Sequence, residues 1–159
     1  MQTVKAPLDE SAEKVRLRLW LKLLKMSRQI EGELRENLRS EFSTTLPRFD
    51  VMAALHRFPK GLRMTELSAE LKVSNGNVTG IVDRLVNDSL VVRVAVPDDR
   101  RALVVKLTPS GKKDFMQQAT AHEAWIDNLL SDLSTDDAEL MLSIADKTLL
   151  KSADKKTDS

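Results

Sequence analysis

The sequence predicts a mainly α-helical protein with a small β-wing. Three observations carry that expectation. Between Leu62 and Thr108, two short helical patterns are followed at once by two valine-rich runs joined by Pro-Asp-Asp-Arg-Arg, the order of a helix-turn-helix with a hairpin behind it. Ahead of them, Leu19, Leu23, Met26, Ile30, Leu34 and Leu38 recur at steps of three and four, which is one face of a long helix. Behind them, Thr108-Pro109 and Ser134 are strong helix starts, a capping hydroxyl followed in the first case by proline at the first helical position.

Taken in order, the first helix is expected over residues 11–42. A second apolar set, Val15, Leu17, Trp20, Leu21 and Leu24, widens its stripe beyond what one small domain covers, so burial against a second subunit is expected. Pro47 opens a second helix over 48–58, which Pro59 and Gly61 close. A short helix over 65–71 turns Met64, Leu67 and Leu71 inward, and the next runs from its N-cap Ser74 to about Asp88. Strands are expected over 91–96 and 102–107, with Arg100 and Arg101 at the turn between them. The fifth helix runs to about Leu133. The sixth follows Ser134, with Asp136 and Asp137 in its first turn, where negative charge is favourable. Leu140, Met141, Ile144 and Leu149 give it an apolar face. The tail after it has too little apolar content to pack and is expected to be disordered. The organisation expected is therefore a dimerisation helix (1–46), a winged helix-turn-helix lobe (47–108), C-terminal dimerisation helices (109–150) and a disordered tail (151–159). As a fold class this is a winged helix-turn-helix with N- and C-terminal helices forming a dimerisation region.

Composition narrows the function. The net charge is +1, but it is unevenly spread. Residues 60–113 hold 10 basic and 6 acidic side chains, a local excess whose sign suits a DNA-facing middle between more acidic flanks. The chain has no cysteine, which excludes disulfides and thiolate metal sites. The first residues have no apolar run, and no stretch approaches the roughly 20 apolar residues that span a bilayer. A cytoplasmic protein with no membrane partner is expected.

The helix from Ser74 carries the most chemistry. Val78, Ile81, Val82 and Leu85 define its buried face. Gly76, Gly80 and Asp83 then fall opposite, flanked by Asn77, Thr79 and Arg84. Two glycines four apart cost roughly 1 kcal/mol each in a helix, and close backbone approach to a groove is one reason to keep them. Asn and Thr hydrogen-bond base edges or phosphates, and a helix N-terminus presents free N–H groups to a phosphate. An arginine on a wing of this kind reaches a narrow minor groove. Asp98 or Asp99 is placed to orient one of the arginines by an ion pair. The expected DNA contacts are Ser74, Asn75, Asn77, Thr79 and Arg84 on the helix, with Arg100 and Arg101 on the wing. A winged helix used for protein–protein contact is the alternative, and it would present an apolar face instead.

The motifs "MTELSAEL", "VSNGNVTGIVDRLV", "PDDRRALVVKLTPSGKK" and "LLSDLSTDDAELML" resemble the MarR family of bacterial winged-helix regulators, across nearly the whole chain. The resemblance implies a homodimer whose interlocked terminal helices present two winged helices to a pseudo-palindromic operator on double-stranded DNA. Many members have an arginine after the recognition-helix threonine. Here Gly80 follows Thr79, so no guanine-reading arginine is expected at that position.

The resemblance also implies a small-molecule effector in a cleft between the dimer helices and the DNA-binding lobe. The expected lining is Trp20, Leu24, Arg28, Arg48, Phe49, Met52 and His122, with Trp125 beside it. Aromatics and Met suit a flat apolar ligand, while Arg and His suit an anion. A finer similarity, in "EGELRENLRSEFSTTLPRFDVMAAL", is to the branch that represses aromatic-acid catabolism and is released by hydroxycinnamoyl-CoA thioesters. A CoA ligand would call on Arg16, Arg18, Lys22 and Arg28; a free phenolic acid is the rival effector. There is no catalytic triad, phosphate loop or metal-ligand cluster, and "HEAW" at His122 is not a zinc motif. No enzyme activity, metal or cofactor is expected.

Overall fold

The computed structural model describes residues 10–157, and for residues 75 and 151–157 the backbone alone. Its elements are α1 (Ala12–Phe42), α2 (Leu46–Arg57), α3 (Met64–Leu71), α4 (Asn75–Asn87), β1 (Val91–Val96), β2 (Asp99–Leu107), α5 (Pro109–Leu129) and α6 (Thr135–Thr157). The chain divides into two compact units at His122/Glu123, within α5.

In the first unit, short polar side chains and tight caps set the helix limits. Ser11 caps α1 and Thr45 caps α2 through the Arg48 N–H. The Arg63 N–H donates to the Glu66 carboxylate at 2.7 Å at the start of α3. The core is apolar: Leu34 and Leu38 of α1, Val51, Met52 and Leu55 of α2, Leu67 of α3, Val78, Val82 and Leu85 of α4, Val105 of β2 and Phe115 of α5 are all buried. Met64 and Leu71, expected inside, are only half-buried. The apolar stripe of α1 is covered at Leu34 and Leu38 but bare toward its start, where Leu19 and Trp20 are more than half exposed.

β1 and β2 form an antiparallel hairpin, and Leu62 adds one bridge to Val105 on the other edge of β2. Gly61, before that bridge, has φ +92°, and a Cβ there would stand 2.9 Å from the Val105 carbonyl oxygen. Only glycine fits that turn. The hairpin differs from expectation at its tip. The turn is Pro97-Asp98, and β2 starts at Asp99 rather than at 102. Ala95 pairs with Leu103 while Val96 pairs with Asp99. Arg100, Arg101 and Ala102 therefore bulge out of the ladder, and the two arginines sit on β2, not in the turn.

The Thr108 hydroxyl joins wing to α5. It accepts from the Gly111 N–H at 2.9 Å and donates to the Ser89 carbonyl at 2.7 Å. α5 packs so closely here that a Cβ on Gly111 would lie 1.9 Å from the Leu90 carbonyl oxygen.

In the second unit, α5 ends at Leu129, earlier than the expected 133. Residues 130–133 tighten into a turn closed by the Leu133 N–H to the Leu130 carbonyl. Ser134 and Asp137 then cap α6 reciprocally, side chain to backbone N–H in both directions. The helix continues to Thr157, past the boundary at 150 expected from composition. An apolar face is not required for a helix to continue where alanine and lysine propensities favour it. The remainder of the expected disordered tail, residues 158–159, lies outside the described residues. Among the described residues no helix is long and apolar enough to cross a membrane.

Candidate nucleic-acid interface

α4 is held from below by Val78, Val82 and Leu85, all fully buried, with Ile81 half-buried at the edge. Its other face is open. Gly76, Asn77, Thr79, Gly80, Asp83 and Arg84 are exposed, and a Cβ built on Gly76 or Gly80 would meet nothing within 4 Å. The structure thus brings together the small polar face that the spacing predicts. Ser74 is the N-cap, exposed and with extended backbone, and makes no side-chain capping bond. The side chain of Asn75 lies outside the described residues.

Among the described residues two ion pairs hold this helix to its neighbours, and neither was expected from sequence. Arg93 of β1 donates to Asp83, which ties the recognition face to the wing. Arg48 of α2 donates to Asp88, the C-cap of α4, at 2.6 Å. The alternation of β1 was a usable signal for Arg93: it shares the strand face of buried Val91 while Val92 and Val94 are exposed, and a cation on that inner face needs a partner. Nothing local signals Arg48 to Asp88, which lie 40 residues apart.

On the wing, Arg100 and Arg101 are exposed. The Asp99 carboxylate accepts from the Arg101 backbone N–H at 3.1 Å. It therefore fixes the bulge rather than a guanidinium, in place of the expected ion pair.

The residues expected to line an effector cleft fall into three places. Phe49 and Met52 are buried core. Phe49 stacks on His122 with centroids 4.6 Å apart and leans on Phe115 at 5.5 Å. Desolvation in this packing lowers the His122 pKa below its ordinary 6.5. Trp20 and Leu24 share a shallow apolar groove along α1, and Arg28 is exposed on the same helix. Arg48 instead lines a cleft of about 720 Å³ between the start of α2 and α4, with Asp50, Asn77, Gly80 and Arg84. Burial raises the Asp50 pKa above its ordinary value, and the Glu31 carboxylate adds to the rise while Arg35 opposes it. Among the described residues no cluster of three or more His, Cys, Asp or Glu is placed to hold a metal ion.

Comparison with known proteins agrees with this geometry. The MarR family pattern matches residues 42–102, the helix-turn-helix and the start of the wing. The multiple antibiotic resistance protein MarR of Salmonella typhimurium is 32% identical over 90 residues, covering 57% of this chain. The chain spans only 62% of that relative's length. The crystal structure of a MarR family transcriptional regulator from Silicibacter pomeroyi is 36% identical, with a TM-score of 0.72 over 91% of this chain and 99% of that one. A mutant MarR from E. coli, solved in complex with operator DNA, shares the fold with a TM-score of 0.74 at 24% identity, over 88% of this chain and 99% of that one. The family pattern lies across the elements that build the open face of α4, and the S. pomeroyi transcriptional regulator matches along almost its whole length: the chain belongs to the MarR family.

Proposed function

We propose that the protein is a DNA-binding transcriptional regulator that reads a pseudo-palindromic operator as a homodimer. The observation that carries this reading is the exposed face of α4. It is narrow at Gly76 and Gly80 and polar at Asn77 and Thr79, and the wing that follows α4 in the chain exposes Arg100 and Arg101. Such a face fits a major groove, with arginines available to the backbone or minor groove. It is not the apolar face that protein–protein contact would need.

The homodimer is supported by apolar surface that a lone chain leaves in water. Leu140, Leu142, Leu149 and Leu150 of α6 are each more than 60% exposed, and Leu17, Leu19, Trp20 and Leu21 of α1 more than half. Uncovered helical surface of this kind marks an interface. Residues 1–46 and 109–150 are accordingly assigned to dimerisation, and 47–108 to DNA.

We further propose that the protein is a repressor of aromatic-acid catabolism, released by an aromatic acyl-CoA such as a hydroxycinnamoyl-CoA. The cleft between α2 and α4 has the volume of a small-molecule site, and because Asn77, Gly80 and Arg84 form its α4 wall, an effector seated there also covers part of the face proposed to read DNA. Its two guanidinium groups, Arg48 and Arg84, suit a carboxylate, thioester oxygen or phosphate. An anion drawing Arg48 from Asp88 would loosen the tie at the end of α4. Release requires that the effector bind the non-DNA-binding arrangement better. A change in lobe spacing of a few ångströms is enough, because half-sites lie about 34 Å apart.

The test is fluorescence anisotropy of the full chain on duplexes from its own upstream region, titrated with p-coumaroyl-CoA and with p-coumarate. Release by the thioester alone supports the acyl-CoA effector. Release by the free acid supports the rival. No release by either removes aromatic effectors from the mechanism.

A further inference from the structure

Lys72 stands out in the turn between α3 and α4. Its backbone is left-handed, φ 54° and ψ 40°, and it closes α3 with the Val73 N–H bonded back to the Ser68 carbonyl at 3.2 Å. Glycine is the residue this cap prefers, because a Cβ is strained there. The other two non-glycine residues with positive φ among the described residues are both serine, Ser43 and Ser89. Among the described residues, a long cation is kept in such a place at position 72 alone.

The charges around α4 give a reason. The first two turns of α4, residues 75–82, carry no charged side chain. The two arginines that reach α4 from other elements are already taken, Arg48 by Asp88 and Arg93 by Asp83. Lys72 is exposed, two residues before the N-cap Ser74, and makes no ion pair among the described residues. With Arg84 in its last turn as its one cation, the leading end of the recognition helix needs backbone contacts from its flanks to hold its register on a duplex. The wing arginines serve one flank.

We propose that Lys72 serves the other, as a phosphate-contacting residue that positions α4 on DNA. This rests on the DNA-binding function proposed above. A lysine acts on phosphate as a point charge on a flexible stem, so the contact carries no sequence preference.

The test compares the full-length wild type with Lys72→Gly, Lys72→Gln and Lys72→Arg. Anisotropy is read on a duplex from the upstream region and on a random duplex, over a salt series, beside thermal melting. Lys72→Gly is expected to melt about 2 °C higher as the cap relaxes. It should nevertheless bind both duplexes several-fold more weakly, with a salt slope smaller by about 0.9 per protomer. Lys72→Gln should lose the same slope without the gain in melting temperature, and Lys72→Arg should keep it. A purely structural role would make Lys72→Gly more stable and leave the slope alone, and that result overturns the proposal. So does a Lys72→Arg variant that behaves like Lys72→Gln. A wild type that binds neither duplex fails before any variant is compared, and that failure belongs to the DNA-binding reading.

Discussion

Gly80→Ala should make the free protein more stable and the DNA complex weaker. Gly80 lies in the interior of α4, and a Cβ there meets nothing within 4 Å. In the free chain the substitution therefore creates no clash and relieves the backbone entropy cost of glycine, a gain of about 1 kcal/mol. For a chain of this size that raises Tm by about 2–4 °C. On DNA the sign reverses. The methyl group projects from the face proposed to approach the groove, and forcing one extra carbon into a packed contact costs about 1–3 kcal/mol. Operator affinity should then fall by about 5- to 150-fold. Differential scanning fluorimetry reads the first effect and anisotropy the second, on the same preparations. The salt slope should stay unchanged, since no cation is removed. A variant that melts higher and binds the operator as wild type does would refute the close approach of α4. A variant that melts lower would refute the open face itself.

Gly111→Ala is expected to act the other way. Its Cβ would sit 1.9 Å from the Leu90 carbonyl oxygen, a backbone atom that cannot swing aside, so Tm should drop by at least about 3 °C. Arg93→Ala breaks a solvent-exposed ion pair and should cost no more than about 1 kcal/mol of stability. It should still weaken operator binding, because the wing loses its tie to Asp83. His122 has a lowered pKa, so the fold binds fewer protons there than the unfolded chain does. Its contribution is fully present above pH 6.5 and is lost as pH falls through that value toward the folded pKa. Tm of the wild type should accordingly decline on acidification below pH 6.5, and His122→Phe, which keeps a ring against Phe49, should decline less. Light scattering should give twice the chain mass of 17.9 kDa for the wild type and a shift toward one chain for Leu149→Asp; equal masses for both would remove α6 from the dimer.

Elements governed by local chemistry were legible. The steps of three and four in α1, the Ser74 and Ser134 caps and the Thr108-Pro109 start put most helix limits within two or three residues of where they lie. The exposed and buried faces of α4 followed from spacing alone, because an amphipathic helix has only one way to face a core. What escaped depended on contacts between distant segments. The bulge at Arg100 and Arg101 is a matter of register between β1 and β2, which turn residues alone do not set. The Leu62 bridge to Val105 is a single residue with no periodicity to detect. The expected effector lining mixed Phe49 and Met52, which an apolar pattern marks equally well as core, with Arg48, whose cleft exists only because α2 and α4 pack side by side. Aromatic and Met side chains look alike in sequence whether they line a cavity or fill one.

The most direct test of the proposed function is the ratio of dissociation constants for one duplex from the upstream region and its shuffled counterpart, measured at about 150 mM salt on the full chain. Sequence-specific regulators of this kind are expected to favour their site by about 10³-fold or more. A ratio of that size for the wild type, lowered by about 5- to 150-fold in Gly80→Ala, is the expected result. A ratio near one on every upstream duplex, with the fold intact by melting, would contradict it: the open face of α4 would then not be reading DNA sequence.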